Sequence, residues 1–149
     1  MAGYRAERVY QHLHDARAAL GEAWRVLHPG GRIVLIDQDW DALVIDSDDA
    51  AATRAVVRAF SDSLVDGRAG LKHRARLIDT GFQEVEVEAE TVALADSESM
   101  ELIVGTVAQQ ASNALGAEAV QEWLADQRRR ADTGRFLALM THVIASATR

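Results

Sequence analysis

The sequence of 149 residues contains no cysteine. That excludes disulfides, thiolate metal sites and a cysteine nucleophile. It also lacks a basic excess: 16 lysines and arginines stand against 23 aspartates and glutamates, a net charge of −7. A nucleic acid or an anionic membrane would require a basic face, so neither is expected as a partner. No apolar run approaches the roughly 20 residues that span a bilayer. The opening MAGYRAERVYQHL has no apolar core of the kind a signal peptide carries. A cytoplasmic location is the expectation. Ten glycines are present, yet none stands in a G-x-G pair, and no Ser-His-Asp order or phosphate-binding loop is recognisable.

What is present has the size of one domain, 1–149, with an ordinary 48% hydrophobic and 26% charged content. The most informative stretch is Arg25–Trp40, RVLHPGGRIVLIDQDW. It reads as the end of a helix, a break at the single proline, Pro29, with Gly30 and Gly31, and then four large aliphatics, Ile33 to Ile36. Helix, tight stop and continuous apolar run are how a parallel α/β sheet feeds a buried strand. Ligands of such sheets bind beyond the carboxyl ends of the strands. This makes Asp37, Asp39 and Trp40 candidates for substrate binding, the carboxylates orienting a hydroxyl or amine and the indole forming an apolar wall.

Before this stretch, Arg5–Tyr10 has room for one short strand, and Asp15 is placed to cap a helix. Ala16, Ala19, Leu20, Ala23 and Leu27 form that helix's apolar stripe. After it, the aspartate-rich 41–49 reads as a loop, with Asp48 or Asp49 capping a helix that runs to about Leu64. A shorter helix over about 71–79 stops at Gly81, a glycine suited to the left-handed cap. In Phe82–Leu94, Val85, Val87 and Ala89 alternate with Glu84, Glu86, Glu88 and Glu90, which predicts a strand with one wet face. Two helices are expected over 97–131. Arg128, Arg129 and Arg130 at their end are expected to offset the helix dipole. The run Phe136–Ala147 suits a helix stripe and a doubly buried strand equally.

Three passages together resemble class I S-adenosylmethionine-dependent methyltransferases. They are Arg8-Val9-Tyr10-Gln11-His12-Leu13 followed by Asp15, then Trp24-Arg25-Val26-Leu27-His28-Pro29-Gly30-Gly31-Arg32, and Thr80-Gly81-Phe82 with Val85 and Val87. The resemblance implies an α/β, partial Rossmann-like sheet whose strands correspond to the family's four, five, seven and six. It makes Phe136–Ala147 the last strand, antiparallel beside the fifth, and 97–131 a helical lid insertion over a small-molecule pocket. It implies S-adenosylmethionine as cofactor, with Arg8 and Gln11 placed to bind it and His12 as general base, near His14. No metal is implied, because His12, Asp37 and Asp39 lack ligand spacing.

The family holds its cofactor mainly with strands one to three and a glycine-rich turn, for which this sequence has no counterpart. The expectation is the C-terminal half of a methyltransferase, incomplete or inactive alone. Its fourth strand would carry an open edge, covered by a homodimer partner or by a separate N-terminal half. Two other functions compete with methyl transfer to a small molecule. One is a non-enzymatic dimeric binding or scaffold module derived from a methyltransferase; the other is a cyclase or isomerase using the same pocket.

Overall fold

The computed structural model describes residues 1–149. In chain order its elements are β1 (Gly3–Glu7), a 3-10 turn (Tyr10–His12), α1 (Ala16–Val26), β2 (Arg32–Gln38), a second 3-10 turn (Trp40–Ala42), β3 (Val44–Ile45), α2 (Ala50–Ser63), α3 (Ala69–Thr80) and β4 (Gln83–Leu94). There follow α4 (Ser97–Ser99), a π-helical turn (Met100–Val104), α5 (Gly105–Leu115), α6 (Ala117–Asp132) and β5 (Ala138–Thr148). They form two compact units, one of residues 1–39, 68–90 and 142–149, the other of 40–67 and 91–141.

In the first unit the Pro-Gly-Gly break joins a helix to a buried strand, as its composition predicts. Asp15 caps α1, its Oδ1 accepting the Ala18 N–H at 2.8 Å. Gly30 takes the left-handed φ of +79° that the reversal requires. β2 then runs parallel to β1, from Gly3↔Arg32 to Glu7↔Ile36. On its other side β2 pairs antiparallel with β5, from Arg32↔Thr148 to Gln38↔His142. β4 pairs with β5 in turn, and β1 has no partner on its outer edge. The order β1-β2-β5-β4 is the four-five-seven-six order implied above. It also resolves the ambiguous run Phe136–Ala147 in favour of strand, which occupies Ala138–Thr148. Ile33 and Leu35 of β2, with Ala145 and Ala147 of β5, pack against Leu20 and Leu27, Leu77 and Phe82. Each large side chain buried in this way stabilises the fold by about 1.5–3 kcal/mol.

The predicted wet-and-dry alternation of β4 is only partly realised. Val85 packs against the core, but Val87 is 42% exposed and Ala89 is also exposed. α3 ends at Thr80 and is capped by Gly81 at φ +101°, so its last turn reaches Phe82 and Val85 and no farther along the strand. Glu84 adopts a left-handed φ of +52°, which interrupts the alternation at the strand's start.

The second unit has its own core. Val56, Val57 and Phe60 of α2 meet Val104, Val107 and Ala111. Thr53, also on the buried face of α2, accepts the indole N–H of Trp123 on α6 at 3.0 Å. Asp49 caps α2, accepting from the N–H groups of Ala51 and Ala52 at 3.1 and 2.9 Å. The stretch read as a plain loop contains the Trp40–Ala42 turn and β3, paired at Val44↔Leu139 and Ile45↔Ala138. The three arginines are all engaged by carboxylates. Arg128 is bidentate on Glu101, Arg129 reaches Asp126, and Arg130 reaches Asp46, Asp48 and Asp126. No helix is long and apolar enough to cross a membrane.

Candidate active site

The residues singled out after the first strand gather at its exit. Arg8 continues the ladder, its N–H donating to the Ile36 carbonyl at 2.8 Å, but its own φ of +54° is left-handed. A non-glycine residue in that region is strained, a condition that concentrates at functional positions. The kink turns the exposed Arg8 side chain out of the strand and starts the 3-10 turn that carries Gln11 and His12. Within that turn the Gln11 side-chain amide (Nε2) meets His12 Nε2 at 3.0 Å. An amide nitrogen only donates, so it holds His12 Nε2 as an acceptor and leaves the ring proton of the neutral form on Nδ1. Gln11 is buried, while His12 and His14 are exposed.

At the end of β2 the structure separates the acidic candidates. Asp37 is fully buried: its Oδ2 lies 3.0 Å from His73 Nε2 and its Oδ1 takes the Gln11 backbone N–H at 3.4 Å. A carboxylate only accepts, so His73 donates from Nε2. Gln38, buried and pointing the other way along the pleat, contacts His142 Nε2 through its Nε2 at 3.3 Å. Asp39 is half-buried. Trp40 belongs to the second unit, where its ring stands edge-on to Phe60 at 4.8 Å and its side chain is buried in that core.

Two participants were not singled out from the sequence. His73 is fully buried on α3, with the ring of Tyr10 edge-on to it at 5.6 Å. Tyr10 is equally buried and its hydroxyl lies 3.4 Å from that of Tyr4. Burial first, and the Tyr4 hydroxyl second, push the Tyr10 phenol well above its ordinary range, so it stays a neutral hydroxyl. The signal for His73 was its spacing. Ala69, His73 and Leu77 share one buried helix face, and a histidine inside an apolar stripe needs a buried partner.

No group of three or more histidine, aspartate or glutamate side chains is arranged to hold a metal ion. A surface groove of about 530 Å³ lies in the second unit between Ala55, Arg58 and Asp62 of α2 and Gln110, Asn113 and Leu115 of α5. None of the candidate site residues, Arg8, Gln11, His12, Asp37, Asp39 and Trp40, lines it.

No protein-family model matches the sequence. Over 151 aligned residues it is 36% identical to an uncharacterized 37.1 kDa protein in transposon Tn4556 of Streptomyces fradiae. The match takes in 97% of this chain but only 43% of that relative, so the chain spans less than half of the relative's length. Among solved structures, a candidate methyltransferase from Bacillus halodurans C-125 superposes with a TM-score of 0.56 at 16% identity, covering 99% of this chain and 64% of that one. A phosphoethanolamine N-methyltransferase 2 from Haemonchus contortus superposes less well, with a TM-score of 0.48 at 13% identity over 33% of its own length. The Bacillus comparison and the strand order agree: the chain has a class I methyltransferase-like fold.

Proposed function

We propose that this chain supplies the acceptor side of an S-adenosylmethionine-dependent methyl-transfer site acting on a small molecule. The observation that carries the reading is the exit of β1. A strained residue there sends an exposed guanidinium, a buried amide and an exposed imidazole (Arg8, Gln11 and His12) to the carboxyl end of the parallel pair. That is where open α/β sheets bind their ligands. The net charge of −7 favours a small acceptor over a nucleic acid.

The donor set at this strand exit fits part of the cofactor. Arg8 suits a carboxylate, through charge-assisted hydrogen bonds, and Gln11 suits a hydroxyl or amide. A close backbone turn is missing, since no glycine pair of the G-x-G type exists in the chain. The outer edge of β1 is unpaired. We therefore expect an N-terminal half, in the same polypeptide or a separate one, or another copy of this chain, to pair along β1 and complete the site. S-adenosylmethionine, when bound, supplies an electrophilic methyl group on a sulfonium. The part played by this chain is to orient the acceptor and take up its proton. The acceptor's O–H or N–H displaces the Gln11 amide from His12 Nε2, and that lone pair receives the proton as the acceptor attacks.

Calorimetric titration of the chain with S-adenosylmethionine tests the reading, with light scattering to measure its size. The expected result is no submillimolar binding to these 149 residues alone, and binding once the sequence encoded immediately upstream is supplied, fused to the chain or by co-expression. Submillimolar binding by the chain alone would overturn its incompleteness. A monodisperse monomer would remove self-pairing and leave the N-terminal half. Neither binding nor methyl transfer once that sequence is supplied would overturn the methyltransferase reading itself.

A further inference from the structure

Asp37 stands at the ligand end of β2, yet nothing outside the protein can touch it. Its relative exposure is 0%, as is that of His73. Its two oxygens are divided between two elements, Oδ2 to His73 on α3 and Oδ1 to the backbone N–H of Gln11 in the turn after β1. Gln11 is the residue whose side chain meets His12 Nε2. A chain of contacts thus runs from α3 through the end of β2 into the turn that presents the imidazole.

We infer that Asp37 and His73 are positioning residues: together they fix the Gln11–His12 turn and so set the tautomer of His12, and neither contacts a substrate. The inference rests on the proposed function in one respect, that His12 is the group meeting the acceptor. The physical reason for the pair is that a buried carboxylate needs its lone pairs filled by fixed donors. His73 fills one from a rigid helix. The other is left for a backbone N–H, which ties the turn to the sheet without using any side chain of the site. Tyr10, edge-on to His73, closes the remaining side. The only side-chain hydrogen bond recorded for the fully buried His73 ring is the one to Asp37.

The test is ¹⁵N imidazole spectroscopy on the full chain at a pH where His12 is neutral. Exposed His14, two residues away, serves as an internal reference. In the unsubstituted protein His12 is expected as the Nδ1–H tautomer and His14 as the mixture of a solvated imidazole. Asp37→Ala and His73→Phe should move the His12 tautomer ratio by roughly fivefold toward that mixture, the equilibrium weight of one ordinary hydrogen bond. His14 should not change. His73→Gln, whose amide can still donate to Asp37, should restore most of the His12 signature. Folding is checked by amide dispersion. If the disruptive variants do not fold, the unsubstituted protein and His73→Gln still decide. An unsubstituted His12 with the same tautomer mixture as His14 overturns the inference. So does a folded His73→Phe in which His12 is unmoved. The readout needs no cofactor, so a silent methyl-transfer assay beside a responsive His12 would sink the proposed function and leave this inference standing.

Discussion

The Cα of Gly70 is pressed against the backbone of Asp37: a Cβ built at residue 70 would lie 2.7 Å from the Asp37 carbonyl oxygen and 3.0 Å from Val143 Cβ. This approach brings the first turn of α3 against the end of β2 and sets His73 within reach of the carboxylate.

Gly70→Ala should therefore destabilise the protein by about 1–3 kcal/mol, the cost of forcing one carbon into a packed contact. Gly21→Ala is the matched control. It sits in α1 with open space around the new carbon and should stabilise by about 0.5–1 kcal/mol. Urea unfolding of the two variants checks both signs.

In the second unit, Thr53→Val should cost about 1–3 kcal/mol, because it leaves the buried Trp123 N–H without an acceptor. Adding Trp123→Phe removes the stranded donor together with some ring packing. The two losses should then be less than additive, and a double-mutant cycle measures the coupling.

Acid should unfold the protein through carboxylates held by fixed donors. Glu101 is lowered by its hydrogen bond to Arg128, Asp126 by that to Arg130, and Asp96 by the Ser99 N–H. Each binds a proton less readily folded than unfolded. Their contribution is fully present above the ordinary carboxylate range of about pH 4 and is lost as pH falls through the lower folded values. Asp126→Asn should flatten the fall of the urea midpoint between about pH 5 and about pH 3, on either side of the ordinary carboxylate value. A steeper fall in the variant would contradict the assignment.

Arg8→Gly separates backbone from guanidinium. The left-handed φ of +54° is free of strain for glycine, so stability should hold or rise by up to about 1 kcal/mol. Cofactor affinity of the completed site should fall roughly tenfold or more, the weight of a charge-assisted hydrogen bond. Thermal melting and calorimetry report the two effects separately.

Local rules carried much of the fold into view. The α1 stripe, the Pro29–Gly31 break, the apolar run of β2 and the cap at Gly81 each act within a few residues, and each stands where the spacing puts it. Phe136–Ala147 was different. Its pattern fits helix or strand, and the strand exists because β2 and β4 offer two edges to it, a tertiary fact. The exposure of Val87 was hidden for the same reason, since alternation says which residues share a face and not whether anything covers it. The turn carrying Gln11 and His12 was readable as the corner after the first strand. His73 was not: its partner, Asp37, lies 36 residues away and meets it only when α3 docks on β2.

The placement of β5 bears on how the protein is made. Arg32 and Thr148 are 116 positions apart and pair side by side. β2 and β4 are synthesised long before β5 and have no ladder to each other until it slides between them. During translation the first unit must therefore wait, with two strand edges unpaired, for β5 to leave the ribosome. Such exposed edges invite aggregation. Expression yield should thus respond more to what delays β5, such as slow codons between β4 and β5, than to changes of similar size in α1.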